Sequence, residues 1–304
     1  MGKAPYKGKD VTEVRSPHRT LLPDTVGPDH QQPTSLQGLA NKARVTKPHR
    51  LRALYRCLAA EWLRDCWQDL NKEAASGGDN VTAAAYGANL HANIEALVER
   101  LQAQRYRATL VRRCYIPKEN GQVRPLGMPA LEDPLGQLAC AKLLMAISAQ
   151  DFLDCRYGYR PGRGALEAVR DLTFALQDGT YGSVVEVDVK GFFDHLDHTW
   201  LEDMLRGRID DRAFLRLIRQ CLKAGILDTE GHVMHPETGT PQGGTVSPVL
   251  ANAYVHYALA VWFAKVVKAH GRGDAMLCRD ADDWVGACRY QDDAERFYRV
   301  LPQR

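Results

Sequence analysis

The residues best suited to chemistry lie in an acidic turn at positions 280–283, where three aspartates surround Ala281. Apolar residues flank the turn on both sides, and this pattern predicts a β-hairpin that carries carboxylates at its tip. Aspartate is also a common turn residue, and an isolated Asp-Asp pair is more often structural than catalytic. The interpretation depends on whether other carboxylates reach the same place.

An acidic strand upstream supplies such a carboxylate. Its valines are Val185, Val187 and Val189, and they alternate with Glu186, Asp188 and Lys190. This alternation predicts a strand with an apolar face and a charged face. If Asp188 lies beside the acidic turn in one sheet, two or three carboxylates converge, and their repulsion favours bound cations. Two Mg²⁺ ions about 3.5–4 Å apart, as in phosphoryl-transfer enzymes, would fit such a cluster.

Three motifs follow one another along the chain: VDVKGFFDHLDH at 187–198, GTPQGGTVSPVLAN at 239–252 and RDADD at 279–283. In order and spacing they resemble the palm motifs of group II intron reverse transcriptases, and the resemblance extends from Leu51 to the last residue. It implies an α+β fold, a right-hand polymerase fragment whose palm has an antiparallel sheet backed by helices. The implied domains are an N-terminal extension with fingers at 50–182 and a palm at 183–304.

The resemblance also implies a metal centre. Asp188, Asp282 and Asp283 match the catalytic carboxylates of the family, which hold two Mg²⁺ ions, with Mn²⁺ as an alternative ion. In two-metal sites of this kind, the ions stabilise the attacking and leaving oxygens of a phosphoryl transfer.

Four further residues match substrate contacts of the family. Lys118 and Arg124 belong to its fingers motif K-x-x-G-x-x-R-P-L-G, where they hold the nucleotide triphosphate. Phe193 matches the gate against a ribose 2′-hydroxyl, although a core phenylalanine is the simpler interpretation of a Phe-Phe pair. Gln242 matches a residue beside the nucleotide and the primer end; on its own it would be a loop glutamine.

The implied function is RNA-directed DNA synthesis for a group II intron retroelement, with transfer of dNTPs to a primer 3′-hydroxyl. The implied partners are an RNA template (intron RNA), a DNA primer and dNTPs, with no membrane. Two alternatives stay open: a reverse transcriptase of another element, such as a defence or diversity-generating system, and a catalytically impaired RNA-binding remnant. Neighbouring DNA would identify the element, and primer extension would identify a remnant.

The sharpest departure from the family is Asp280, where the family has Tyr in Tyr-Ala-Asp-Asp. The substitution removes an aromatic surface and a hydroxyl beside the primer end. If the Asp280 side chain points at the other carboxylates, it adds a repulsive charge; if it points at solvent, only stacking is lost. We expect impaired catalysis, and partial rescue by Asp280→Tyr in a protein to which the family's thumb has been restored.

Length and charge set outer bounds. The 304 residues are 45% hydrophobic, enough for a sizeable core. Residues 1–60 carry 11 Lys/Arg against 4 Asp/Glu, whereas the remainder carries 29 against 33. We expect residues 1–49 to form a basic, largely irregular arm of a kind that suits RNA, although many basic tails have no partner.

Cysteine usage and hydropathy bear on location. The eight cysteines lack C-x-x-C or zinc spacing, which is typical of buried thiols in a reducing compartment. No apolar run approaches the roughly 18 residues of a membrane span, and the first ten residues lack a signal-peptide core. We expect a cytoplasmic protein, in the bacterial cytoplasm or nucleoid. The family continues into a helical thumb, and we expect this chain to lack it and to synthesise weakly.

Periodicity and caps predict the remaining elements. Apolar residues from Leu51 to Leu63 recur at helical spacing, and Thr82 and Asp211 are placed to cap helices. An Asn-Gly pair at 120–121 predicts the fingers hairpin, residues 226–234 predict a smaller hairpin, and a long helix follows Ser247. The loop at 157–163 combines Tyr with Arg, which suits either base stacking or ordinary packing.

Overall fold

The computed structural model describes residues 35–47, 49–117, 121, 123–160, 162–241 and 243–303. The helices are α1 (Leu36–Val45), α2 (Ala60–Asp69), α3 (Ala83–Ala88), α4 (Leu90–Gln102), α5 (Glu132–Ser148), α6 (Ala165–Gln177), α7 (His198–Arg206), α8 (Arg212–Leu222), α9 (Ser247–His270) and α10 (Gln291–Val300). The strands are β1 (Val111–Pro117), β2 (Val123–Met128), β3 (Ser183–Asp188), β4 (Ile226–Leu227), β5 (Val233–Met234), β6 (Ala275–Asp280) and β7 (Asp283–Cys288). Short 3₁₀ turns cover Tyr55–Cys57, Phe192–Asp194 and Leu301–Gln303.

Hairpins build both sheets. β1 and β2 pair antiparallel, and β4 pairs parallel with β1 and antiparallel with β5, giving the order β2-β1-β4-β5. β6 and β7 form the palm hairpin, and β3 adds to β7 to give the antiparallel order β3-β7-β6. The protein therefore has the predicted α+β class, with an antiparallel palm sheet backed by helices.

Two hydrophobic cores hold these layers. The larger one is centred on α5, most of whose residues are buried, and α1, α2, α8 and α9 pack around it. The second lies between the palm sheet and helices α9 and α10, where Leu277 and Trp284 meet Phe263 and Phe297. One face of the palm sheet is thus apolar and buried. The other face is covered in part by α6, through Ala168 and Leu172.

Capping residues behave as the sequence predicts. The side-chain oxygen of Thr82 accepts a hydrogen bond from the N–H of Ala85 at the start of α3, and Asp211 does the same for Phe214 at the start of α8. Each cap satisfies a backbone donor that the first helical turn leaves unpaired. Asp133, in the first turn of α5, is buried and accepts hydrogen bonds from Tyr106 and Thr109.

The helix predicted from Leu51 to Leu63 is interrupted. Ala53 has a left-handed φ of 62°, and the N–H of Leu51 donates to the carbonyl of Arg208 rather than to a helical partner. The Asp211 carboxylate likewise accepts from the N–H of Tyr55. These long-range hydrogen bonds replace helical ones, so a regular helix begins only with α2. The leucines of the segment are still buried.

Part of the expected N-terminal arm is ordered. Residues 1–34 lie outside the described part of the chain, but residues 36–45 form α1, capped by Ser35. Ala43 is fully buried, and Leu36 and Leu39 pack against the larger core. The apolar side chains are spaced three and four residues apart, so they lie on one face of α1, and that face packs against α5.

α9 is the long helix predicted after Ser247, and it contains two π-helical segments, His256–Ala260 and Phe263–Val267. By length and composition alone it would be able to cross a membrane, with a mean hydropathy of 1.2 over its most apolar window. However, 56% of that window is buried inside the protein. A core helix has the same properties.

Candidate active site

β3 presents its acidic residues away from the core. Val185 is buried, Val187 and Val189 pack against the second core, and Glu186 and Asp188 are exposed. The predicted division into an apolar and a charged face is therefore confirmed. Asp188 ends the strand, so it lies at the edge of the sheet where β6 turns into β7.

Strand pairing places three aspartates in one row. Asp188 is the partner of Asp283 between β3 and β7, and Asp283 is the partner of Asp280 between β7 and β6. Directly paired residues on neighbouring strands project to the same face of a sheet. Ala281 and Asp282 form the two-residue turn that joins β6 to β7. The structure thus brings together Asp188, Asp282 and Asp283 from distant segments.

The turn itself is unusual in its backbone. Ala281 has a φ of 55°, the left-handed conformation that a two-residue hairpin needs at its first central position and that glycine usually supplies. A residue with a Cβ pays of order 1 kcal/mol for it. Something outside the turn must therefore hold it, and the guanidinium of Arg279 donates to the Ala281 carbonyl at 3.0 Å.

The row is electrostatically strained. Burial and the neighbouring carboxylates of Asp282 and Asp188 raise the pKa of Asp283, and Asp280 and Glu186 act in the same direction. Burial also raises the pKa of Asp280, against a lowering by Arg279, with Asp282 adding to the rise. These shifts mean that the ionised forms are disfavoured where they stand. A cation among the carboxylates would reverse that penalty.

The donor set fits Mg²⁺, which prefers carboxylate oxygens and keeps several water ligands at an open site. Asp188 and Asp283 are exposed and Asp282 is half-buried, so water and a phosphate can both reach them. Within the described ranges, a different set of three residues has its ligand atoms all within 4.8 Å of one another. These residues are Asp228, Glu230 and His232, not the palm aspartates. That set lies on the β4–β5 turn.

Asp280 is half-buried and turned toward residue 158. Its Oδ1 lies so close to Gly158 that a Cβ there would collide with it and with the backbone of Ala281. The side chain therefore points neither at the other carboxylates nor at open solvent, but its charge still raises the pKa of Asp283, its partner in the aspartate row. A glycine at 158 is what leaves room for this approach.

Phe193 lies in the 3₁₀ turn that follows β3 and is half-buried. Its ring meets the buried ring of Phe192 edge-on, with the centroids 5.4 Å apart, and its carbonyl accepts from the N–H of Thr240 at 2.7 Å. Gly239 has a φ of 81°, and a Cβ there would collide with the Phe193 carbonyl. The glycine-rich turn therefore lets two parts of the chain approach each other closely at this point.

The fingers side of the site is described only in part. Lys118 and Gln242 lie outside the described residues, and of Arg124 the structure describes only the backbone, which pairs with Ile116. A cavity of about 280 Å³ lies between the fingers sheet and the glycine-rich turn, lined by Arg113, Gly127, Asp194 and Pro241 among others. None of the three palm carboxylates lines it.

Tyr157, the first residue of the loop at 157–163, packs into the protein. Tyr157 is buried, its hydroxyl donates to Asp171 at 2.9 Å, and the Arg163 guanidinium lies 5.3 Å from its ring centre. For Tyr157 ordinary packing, rather than base stacking, describes the arrangement.

The sequence interpretation missed a buried polar group behind the turn: Arg156, Arg279, Asn252 and His256. A signal for Arg279 existed. Arg279 lies two residues after Leu277 and four after Ala275 along β6, and both of these are core residues. Because every second residue of a strand faces the same side, Arg279 falls on the buried face. Arg156 had no comparable local signal, because it is buried by pairing with β6 across a long loop.

A helix-backed antiparallel sheet with aspartates at the end of its strands is the arrangement that the palm motifs in the sequence predict. The sequence profile described as "Reverse transcriptase (RNA-dependent DNA polymerase)" matches residues 116–304. The chain therefore belongs to the reverse transcriptase family.

Individual relatives agree. Protein YkfC of Escherichia coli (strain K12) is 33% identical over 277 residues, covering 84% of this chain and 72% of that protein. The group II intron-encoded protein LtrA of Lactococcus lactis subsp. cremoris is 38% identical over 165 residues, covering 54% of this chain and 27% of LtrA. Among solved structures, a chain of "Partial Cas6-RT-Cas1--Cas2 complex" superposes with a TM-score of 0.47 at 20% identity, over 82% of this chain and 40% of that one.

Proposed function

We propose that this chain catalyses RNA-templated DNA synthesis, in which the 3′-oxygen of a primer attacks the α-phosphorus of a dNTP and pyrophosphate leaves. The observation that carries the proposal is the pairing of Asp188 with Asp283, with Asp282 in the adjoining turn, in a chain of the reverse transcriptase family. Carboxylates gathered at an exposed sheet edge suit a reaction that needs charge neutralisation more than covalent chemistry.

Asp188, Asp282 and Asp283 would hold two Mg²⁺ ions, or Mn²⁺ in their place, which would supply charge stabilisation to the attacking and leaving oxygens. The protein's own contribution is to fix the direction of the carboxylates. β3 and β7 hold Asp188 and Asp283 by backbone pairing, and the hairpin holds Asp282 by the conformation of Ala281.

Substrate selection is proposed for four residues. Lys118 and Arg124 would bind the triphosphate from the fingers hairpin, and Gln242 would lie beside the nucleotide and the primer end. Phe193 would exclude a ribose 2′-hydroxyl. The half-buried ring of Phe193 packs against the ring of Phe192, and its backbone carbonyl accepts a hydrogen bond from the N–H of Thr240. These contacts would keep the ring in a fixed position against the nucleotide sugar.

The proposed template is intron RNA of a group II element, with a DNA primer, since LtrA, which is 38% identical over 165 residues, is described as a group II intron-encoded protein. The chain spans 27% of LtrA, so the element served is part of the proposal. We further propose that Asp280 slows the reaction, because its charge joins the aspartate row and opposes an anionic nucleotide.

A primer-extension assay tests the function. The protein is mixed with an RNA template, an annealed DNA primer, dNTPs and Mg²⁺, and the products are compared with those of the Asp282→Asn variant. We expect extension that depends on the RNA template and is lost in the variant. Binding of RNA without extension in either Mg²⁺ or Mn²⁺ would instead identify the RNA-binding alternative.

A further inference from the structure

Two arginines lie fully buried behind the turn that carries Asp282. Arg156 and Arg279 are each 1% exposed, and the pairing of residues 156 and 279 joins the segment before the aromatic loop to the edge of β6. Among the described residues, neither guanidinium forms an ion pair, and one nitrogen of each, Arg156 Nη1 and Arg279 Nε, has no hydrogen-bond partner. Burying an arginine without a carboxylate partner disfavours folding.

The hydrogen bonds that Arg279 does make converge on the catalytic turn. Its Nη1 donates to the carbonyl oxygen of Ala281 and to the side-chain oxygen of Asn252 in α9, both at 3.0 Å. Asn252 is 1% exposed and is fixed in the core helix. The turn is therefore tied through one guanidinium nitrogen to a buried side chain of α9.

Arg156 holds the facing loop in the same way. Its Nε donates to the Gly158 carbonyl at 3.0 Å, its Nη2 donates to the Tyr159 carbonyl, and its guanidinium lies 4.1 Å from the ring centre of Phe152. The amide of Asn252 also donates to the Gly158 carbonyl, at 3.4 Å. Asn252 thus contacts both Arg279, which binds the turn, and Gly158, against which Asp280 packs.

The charges around this group are mostly positive. Burial and the positive charges of Arg279 and Arg160 lower the pKa of Arg156 to about 9. Burial lowers the pKa of Arg279 to about 10, against the opposing effect of Cys155 and Asp280. Burial and the two arginines lower the pKa of His256 to about 4, so the imidazole beside them is neutral. The carboxylate of Asp280 partly offsets the lowered pKa of Arg279.

We propose that Arg279 is a positioning residue for nucleotidyl transfer, which fixes the direction of the carboxylate-bearing turn by holding the carbonyl oxygen of Ala281 against Asn252. The inference rests on the proposed function, because it assigns Arg279 to the geometry of the same site. A non-glycine turn in a left-handed conformation needs an outside restraint, and Arg279 is the side chain that supplies one.

The test compares Arg279→Gln with Arg279→Lys and with Arg208→Gln. Arg208 is the control: it is also buried and also donates to backbone carbonyls, those of Ala43 and Lys47, but it lies at the α1 end of the protein and, unlike Arg279, it is paired with a carboxylate, that of Asp151. Single-turnover primer extension should fall about tenfold to a hundredfold in Arg279→Gln, since a misplacement of about 1 Å can cost that much. The KM for dNTP and the affinity for primer–template should change little, and Arg279→Lys should recover part of the rate.

Hydrogen exchange supplies a readout that needs no activity. In Arg279→Gln, amides of a peptide covering residues 277–286 should exchange at least about tenfold faster, with the 226–234 hairpin unchanged. Arg208→Gln should lower the melting temperature without either effect. Exchange that rises equally in both hairpins, or a rate that falls only with the folded fraction as in Arg208→Gln, would overturn the positioning role. A parent protein that does not extend primers refutes the proposed function, and exchange at the turn still decides the role of Arg279.

Discussion

Two acidic hairpin turns in this protein differ in how their charges are held. The β4–β5 turn gathers Asp228, Glu230 and His232 within 4.8 Å, and Asp228 accepts hydrogen bonds from the N–H groups of Glu230 and His232. The backbone N–H of His232 is the main cause of a lowered pKa at Asp228. This cluster is made within one turn and is satisfied by that turn.

The β6–β7 turn shows the opposite behaviour. Its aspartates receive a further carboxylate from β3, the pKa of Asp283 is raised by burial and by its neighbours, and the left-handed Ala281 is restrained by a buried arginine. If the proposed function is correct, close approach of ligand atoms is a poor guide to the active site here. Charges that the fold assembles at an energetic cost are the better guide.

The largest expected effect separates the two turns by rate. Asp188→Asn should reduce primer extension by at least about 10²-fold, because the loss is in transition-state charge stabilisation. Binding of RNA should stay within a factor of about two, since phosphate contacts are untouched. Asp228→Asn, the matched change in the other turn, should leave the rate unchanged. Extension by Asp188→Asn at a tenth of the parent rate would refute the assignment.

A second contrast concerns the two phenylalanines that follow β3. Phe192 is 8% exposed and belongs to the second core, whereas Phe193 is half-buried and only packs against that core. Phe193→Ala should raise the use of rNTP relative to dNTP by roughly tenfold, because it opens space for a 2′-hydroxyl. Phe192→Ala should destabilise the fold without changing that ratio. Equal discrimination by parent and Phe193→Ala in a competition assay would return Phe193 to the core.

Features of the fold and the site that depend on local sequence patterns could be predicted from the sequence, whereas those that depend on long-range contacts could not. The valine alternation of β3, the hairpin at 280–283 and the caps at Thr82 and Asp211 are local patterns, and they were predicted. The break at Ala53 arises from hydrogen bonds to residues far along the chain. The burial of Arg156 arises from a strand pairing that no local period encodes.

The third prediction tests the charge at position 280. Asp280→Tyr should raise the rate of extension about threefold, since it removes one like charge from the row in a solvent-screened site. It should also lower thermal stability, because Arg279 loses its offsetting carboxylate and Gly158 must accommodate a ring. Rates are measured across a Mg²⁺ titration. A variant that is no faster than the parent at any concentration shows that the aspartate is harmless to catalysis.

The smallest expected effect is on stability, and its sign differs between the two turns. The folded-state pKa of Asp283 is raised, so folding binds protons there, and stability is lost as pH rises from the unfolded value of about 3.9 through the folded one. At neutral pH in EDTA, Asp283→Asn should therefore raise the melting temperature, by about 1–3 °C after allowance for solvent screening.

Asp228 has a lowered pKa, so its stabilisation is present above its unfolded pKa and is lost as pH falls through the folded value. Asp228→Asn should accordingly lower the melting temperature at neutral pH. Mg²⁺ sharpens the contrast, because an ion bound only by the folded palm stabilises the parent by mass action. Mg²⁺ should raise the melting temperature of the parent more than that of Asp283→Asn, and equally in the parent and Asp228→Asn. Destabilisation by Asp283→Asn in EDTA would show that the palm carboxylates do not repel one another, and the contrast between the turns would fail.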